Sequence, residues 1–195
     1  DTPALIVDRD VLGANVAVMA KTLADLGTGW RPHAKAHKSP AVAHLLLAAG
    51  AHGITCAKTS EAEVYAAAGV RDILIANQVV GPIKTRRLAH LARQADIAVA
   101  VDCVENAREH DAAAAEAGTS PRLVIEMDCG MGRAGIAPGA PAVELARAIA
   151  GLSHVRFGGV MTWEGHAMEV KDPAGREATV RSSLAPVLET VAAIR

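Results

Sequence analysis

The chain has 195 residues, 51% of them hydrophobic, enough to bury a sizeable core in one domain, and no composition shift or Ser/Gly-rich linker divides it. Twenty Lys and Arg against 21 Asp and Glu leave a formal charge of -1, so no global field favours nucleic acid or an anionic membrane, and a small-molecule partner is expected. An aromatic content of 2% removes the stacking platforms of single-strand binders, and three cysteines (Cys56, Cys103, Cys129) without metal or redox spacing exclude a disulfide framework and fit a reducing cytoplasm.

In chain order, short apolar strands alternate with longer helical patterns, the sign of βα units and a parallel sheet. An opening strand is predicted at residues 5–7, a helix at 12–26 and a strand at 30–33. Further strands are predicted at 53–56, 72–76, 97–101, 122–127 and 155–161, with helices in every gap. Ser39-Pro40 and Asp172-Pro173 each offer an N-cap followed by a first-turn proline. Ser60 with Glu63 forms a capping box, and Asp102 with Glu105 reads as a helix cap. Strands recur about every 20 to 30 residues, which gives about six units where a closed (β/α) barrel has eight. A doubly wound open sheet predicts the same alternation, so periodicity leaves both architectures open. No charged-then-apolar leader and no bilayer-spanning apolar run is present. The start at Asp1 reads as a trimmed end.

The densest chemistry is Arg31-Pro32-His33-Ala34-Lys35-Ala36-His37-Lys38. Basic neighbours and partial burial both disfavour an ammonium and leave more free amine to attack a carbonyl. If the segment ends a strand, Arg31, His33 and Lys35 alternate onto one face and share a cavity. The plainer alternative is a solvated basic loop. Lys58 also follows a strand but lacks basic neighbours, and His37 and Lys38 are expected to face solvent.

This run resembles the Arg-Pro-His-X-Lys-Thr-His-Lys motif of the D-threonine aldolase and D-serine dehydratase family, pyridoxal-phosphate enzymes of the alanine-racemase-like fold type. Ala36 replaces the usual threonine. The resemblance continues through Thr2 to Asp8, Lys58-Thr59-Ser60-Glu61-Ala62-Glu63 and Glu126 to Arg133. It implies a (β/α)8 TIM-type barrel of the alanine racemase N-terminal kind, incomplete here. Residues 1–195 are then a truncated cofactor-binding barrel domain without its C-terminal β domain. The implied cofactor is pyridoxal 5'-phosphate, held as a Schiff base by Lys35.

Gly130-Met131-Gly132-Arg133-Ala134-Gly135 matches G-x-G-x-x-G, but Ile136-Ala137-Pro138-Gly139 continues as loop where a dinucleotide fingerprint needs a helix. Alanine racemases carry a similar run whose arginine meets the cofactor's phenolic oxygen, and the resemblance carries that role to Arg133. The alternative is a surface arginine in a glycine turn. Trp163 stands where relatives place a residue against the cofactor ring, with core packing as its alternative. His166 is the candidate base or substrate ligand, and His33 orients Lys35 or the cofactor. Glu164 with His166 is half a metal site, too little to assign a metal within these residues.

The resemblance implies a lyase of D-β-hydroxy amino acids, cleaving them to glycine and an aldehyde. A D-serine or 3-hydroxyaspartate dehydratase is the runner-up, followed by an amino-acid racemase and a non-catalytic pyridoxal-phosphate carrier. The full-length protein is expected to hold a divalent metal (Mn, Mg or Zn) in a C-terminal domain and to form a homodimer. Neither nucleic acid nor membrane is an expected partner.

Overall fold

The computed structural model describes residues 2–4 and 6–195. Helix α1 (Arg9–Asp25) starts at Asp8, whose Oδ1 accepts from the N–H groups of Asp10 and Val11 at 3.0 Å. Then come α2 (Pro40–Ala48), β1 (Ile54–Cys56), α3 (Thr59–Ala67), β2 (Asp72–Gln78), α4 (Pro82–Leu91), β3 (Asp96–Val101) and α5 (Val104–Ala117). The chain continues through β4 (Arg122–Met127), α6 (Ala140–Ala150), β5 (Arg156–Thr162), a 3-10 turn (Gly165–Glu169) and α7 (Pro173–Ile194).

The expected caps at Ser39 and Asp172 form, with Ser39 Oγ accepting from Val42 N at 3.4 Å and Asp172 Oδ2 from Gly175 N at 2.6 Å. Both act within one turn of their own helix, so local sequence specifies them. Two other expected caps do not form. The Ser60–Glu63 box is displaced because α3 starts at Thr59 with Lys58, whose ammonium has no acceptor, as its N-cap, and Glu63 pairs with Arg87 of α4. Cys103 is the N-cap of α5, and Asp102 Oδ2 accepts from Gly135 N at 3.3 Å, across the mouth of the sheet.

The five strands form one parallel sheet in the order β1-β2-β3-β4-β5. Sequential order is the barrel solution; a doubly wound sheet reverses its order at a switch point. Side chains also separate the two architectures. Ile73, Ile75, Ile97, Val99, Val101, Leu123, Ile125 and Met127 share one core with Ala43, Ala62, Leu88, Ala107, Leu145 and Val187, which come from α2 to α7 in turn. Alternation along a strand turns Ala98, Ala100, Val124 and Glu126 to the opposite face. The helices therefore cover a single face, as in a barrel wall, and alanines with Val124 and Glu126 stand on the inner one.

The predicted strand at 30–33 is reduced to a single bridge, His33 with Thr55. Pro32 has no N–H to donate, and the segment pairs on one side alone. It still runs parallel to β1, through His52 N to Trp30 O, Thr55 N to Pro32 O and Ala34 N to Thr55 O at 2.8 to 3.0 Å. Six parallel positions result. Of the predicted strand at 5–7, Leu5 lies outside the described residues, and Ile6 and Val7 are exposed and not in a strand.

At the N-terminal ends of the strands the inner face carries a lattice of charge. Arg31 meets Asp72 at 2.7 Å, Arg122 bridges Asp72 and Asp96, and Arg156 reaches Asp96 at 2.8 Å. This network joins the 30–33 segment to β2, β3, β4 and β5. It also overturns one expectation, since Arg31 points to the end of the sheet away from Lys35 and does not share its cavity. Among the described residues, no helix is long and apolar enough to cross a membrane.

Candidate active site

The chemistry collects at the C-terminal edge of the sheet, where barrel enzymes build their sites from the loops that follow the strands. It forms two groups.

The first surrounds Lys35. After His33 bridges β1, the backbone closes a single turn in which Lys38 N donates to Ala34 O at 2.9 Å. Ala34 packs into the core while Lys35 and Ala36 are exposed. Among the described residues the Lys35 ammonium has no hydrogen-bond or ion-pair partner, whereas that of Lys38 is bound by Glu61. Lys35 N donates to His33 Nδ1 at 3.2 Å. An accepting Nδ1 puts the proton of a neutral ring on Nε2. Burial, with the charge of Lys35 next in weight, holds the His33 pKa below its ordinary value, so the ring is neutral at pH 7.

His37 and Lys38 do not simply face solvent. The His37 ring is half-buried, its Nδ1 accepts from Ser39 N at 3.1 Å, and its Nε2 is enclosed without a partner. Burial lowers its pKa. Glu61 binds Lys38 with Oε1 and accepts from Ala57 N with Oε2 at 2.9 Å. Partial burial works to raise the Glu61 carboxyl, but the Lys38 ammonium and the Ala57 N–H outweigh it and keep the pKa below the usual range. Glu61 had no assigned role in the sequence. Its acidic position in the first turn of α3, one residue from the expected capping pair, was the available signal.

The second group lies at the ends of β4 and β5. Residues 128–136 leave β4 and return beside it, with Asp128 N donating to Ile136 O and Ile136 N to Glu126 O. Asp128 Oδ1 accepts from Gly130 N at 2.9 Å and Gly132 N at 3.1 Å, and these bonds hold its pKa low. Gly135, at φ +105°, passes so close to β4 that a Cβ there would sit 2.7 Å from Asp128 N. The loop is thus shaped as a backbone nest closing on its own strand, and no helix opens at its last glycine, so the dinucleotide reading is excluded. Arg133 stands exposed on it.

Trp163 follows β5 and is 47% exposed, which excludes core packing, and its indole lies against Gly165, where a Cβ would sit 2.3 Å from Nε1. His166, in the 3-10 turn, places Nε2 3.0 Å from Ser183 Oγ of α7, while its Nδ1 is enclosed without a partner. Its ring lies against Gly130, where a Cβ would come within 3.4 Å. Arg133, Trp163 and His166 therefore share one end of the edge, and His33 and Lys35 share the other. Between them, Gln78 Nε2 reaches over β3 to the buried Glu126 Oε2 at 2.6 Å, a link the sequence did not announce. The small Ala100 beneath leaves room for it. Among the described residues, no three His, Cys, Asp or Glu side chains form a metal-holding group, Glu164 and His166 included.

A family model described as alanine racemase, N-terminal domain, matches residues 7–195. The chain belongs to that family. Within it, the chain is 38% identical over 183 residues to D-threonine aldolase of an Arthrobacter species, covering 94% of this chain and 48% of that protein. The crystal structure of D-threonine aldolase from Filomicrobium marinum superposes with a TM-score of 0.97 at 40% identity, covering 100% of this chain and 53% of that one. D-threo-3-hydroxyaspartate dehydratase from Delftia sp. HT23 matches with a TM-score of 0.87 at 34% identity, covering 100% and 52%. The chain spans about half the length of the curated relatives it matches.

Proposed function

We propose that residues 1–195 are the cofactor-binding barrel portion of a pyridoxal-phosphate-dependent lyase acting on D-β-hydroxy amino acids, with aldol cleavage to glycine and an aldehyde as its reaction. The observation that carries this reading is the Lys35 amine, exposed and unpaired among the described residues on a tight turn at the C-terminal edge, within a chain whose whole length superposes on a D-threonine aldolase.

The donor set fits the cofactor: an amine and a guanidinium without partners among the described residues at Lys35 and Arg133, a half-exposed indole at Trp163 and a neutral imidazole at His33 are groups that suit an aldehyde-bearing aromatic phenolate. When bound, pyridoxal phosphate supplies an electron sink for the charge left at Cα. Lys35 would hold it through Nζ, with His33 keeping the turn in place by accepting from the backbone N–H of Lys35. Arg133 would offer its charge to the phenolic oxygen, and Trp163 would flank the ring. His166 is held by Ser183 through Nε2 and lies against Gly130 with Nδ1 enclosed, so a role as base or substrate ligand would need its ring to turn outward.

A divalent metal (Mn, Mg or Zn), a C-terminal β domain to hold it, and dimerisation belong in this reading to the longer protein. The three free cysteines fit a cytoplasmic setting. A 3-hydroxyaspartate dehydratase is the second reading, favoured by the TM-score of 0.87 to the Delftia enzyme.

Borohydride reduction after loading with pyridoxal phosphate, followed by peptide mapping, is expected to label Lys35. Label on the Lys58 peptide sinks the assignment. Product analysis of the longer protein with D-threonine, D-serine and hydroxyaspartate decides between glycine plus aldehyde and a keto acid plus ammonia.

A further inference from the structure

Two of the stretches that carry the resemblance, Arg31 to Lys38 and Lys58 to Glu63, are joined where the Lys38 ammonium meets the Glu61 carboxylate across 23 residues of sequence. Lys38 also has the one left-handed backbone conformation of a non-glycine residue among the described residues, φ 48°. A side chain with a Cβ resists this region, and such outliers persist where surrounding contacts hold them. Here the holding contacts are the Lys38 N–H to Ala34 O, which closes the turn, and the Glu61 pair, which draws the side chain toward α3. Glu61 is itself fixed, because its second oxygen accepts from Ala57 N directly after β1.

We propose that Lys38 and Glu61 are positioning residues that hold the 34–38 turn closed and so present the Lys35 amine; as regards the cofactor, this rests on the function proposed above. Its two ends are held by buried Ala34, by His33 accepting from Lys35 N and by His37 accepting from Ser39 N, but Lys35 and Ala36 between them are exposed, and the Glu61 pair is the one side-chain contact that ties the turn to α3 among the described residues. The Lys38 side chain is 61% exposed, so water screens the pair from its side, while the Glu61 side chain is 14% exposed and keeps the Ala57 N–H when Lys38 is lost; the pair's contribution to folding is modest. Its effect is local: it selects a turn geometry that the backbone alone disfavours.

The test uses Lys38→Met, Lys38→Gly, Lys38→Arg and Glu61→Gln, with three measurements: trypsin cleavage after Lys35 in the cofactor-free protein, the dissociation constant for pyridoxal phosphate, and the melting temperature. Met and Gln variants are expected to speed cleavage and weaken cofactor binding by about tenfold or more, with melting lowered by no more than about 4 °C. Arg at position 38 restores both. Glycine accepts the left-handed backbone but has no charge, so it should fail like Met. Wild-type behaviour of the Gly variant would assign the effect to backbone conformation and overturn the pair, as would unchanged cleavage and affinity in the Met and Gln variants. The two readings separate cleanly. If the longer wild-type protein binds no cofactor the functional reading falls, while the trypsin rates still decide whether the pair holds the turn.

Discussion

Arg133 packs against nothing that folding needs, yet the loop that carries it is pinned by two carboxylates, Asp128 from one strand end and Asp102 from its neighbour. Holding an exposed residue on so restrained a backbone makes sense for a group that must meet a ligand. Arg133→Ala is therefore expected to lower pyridoxal-phosphate affinity by about ten- to a hundredfold, the loss of one charge-assisted contact of about 1.5–3 kcal/mol, while the melting temperature stays put. Unchanged affinity and an unchanged cofactor spectrum would return Arg133 to the surface. Lys35 stood out as a candidate at this scale because its motif is contiguous, and the structure adds that it is exposed on a tight turn. The partner of Arg31 was not legible, since Asp72 lies 41 residues away and alternation alone cannot say which end of a strand a long side chain chooses. Lys38 was missed for the same reason: its partner lies on another element.

Among the elements, those specified by their own sequence were read correctly. The caps at Ser39 and Asp172 and the strand at Arg122–Met127 depend on neighbours within one turn or on a run of Leu, Val and Ile. The capping box at Ser60 failed where a tertiary contact outbid it, with Glu63 committed to Arg87. Helix α5 shows a further tertiary choice. His110 is 1% exposed, and its ring nitrogens have no hydrogen-bond partner among the described residues. Burial pushes its pKa down from 6.5 to about 4. At pH above 6.5 the ring is neutral folded or unfolded and has no pH effect. Between about 6.5 and 4 only the unfolded chain takes up the proton, so stability falls with pH, by about 3 kcal/mol once both pKa values are passed. Denaturant midpoints at pH 7 and 4.5 should show this loss in the wild type. His110→Leu should flatten the His110 share of the slope, and an equal slope in both proteins would refute the assignment.

At the scale of the molecule, the sequence announced the number of units and their direction but not the neighbour order, which is a property of pairing at a distance. The order found is sequential and leaves two strand edges, β5 and the 30–33 segment, unpaired within the sheet. Helix α1 buries no residue. Six positions do not close an eight-stranded barrel, and barrel phosphate sites are frequently built after the seventh and eighth strands. The 195 residues expressed alone, with pyridoxal phosphate and manganese, are therefore expected to give no turnover of D-threonine. Turnover comparable to a full-length relative would show a site complete without further units.

Sequential pairing also sets the order in which the chain assembles. Each strand's neighbour is the next one along, so every closure is short and the sheet can zip outward from its middle. The last position to join on one flank is the 30–33 segment, attached by a bridge and a few backbone bonds. Local opening starts where buried contacts are fewest. Amide exchange should then be slowest in β3 and β4 and fast across residues 35–38, with equal protection of the two regions counting against this order. The amine proposed to hold the cofactor would thus sit on the most easily unzipped margin of the sheet, and cofactor attachment at Lys35 would report the completion of folding.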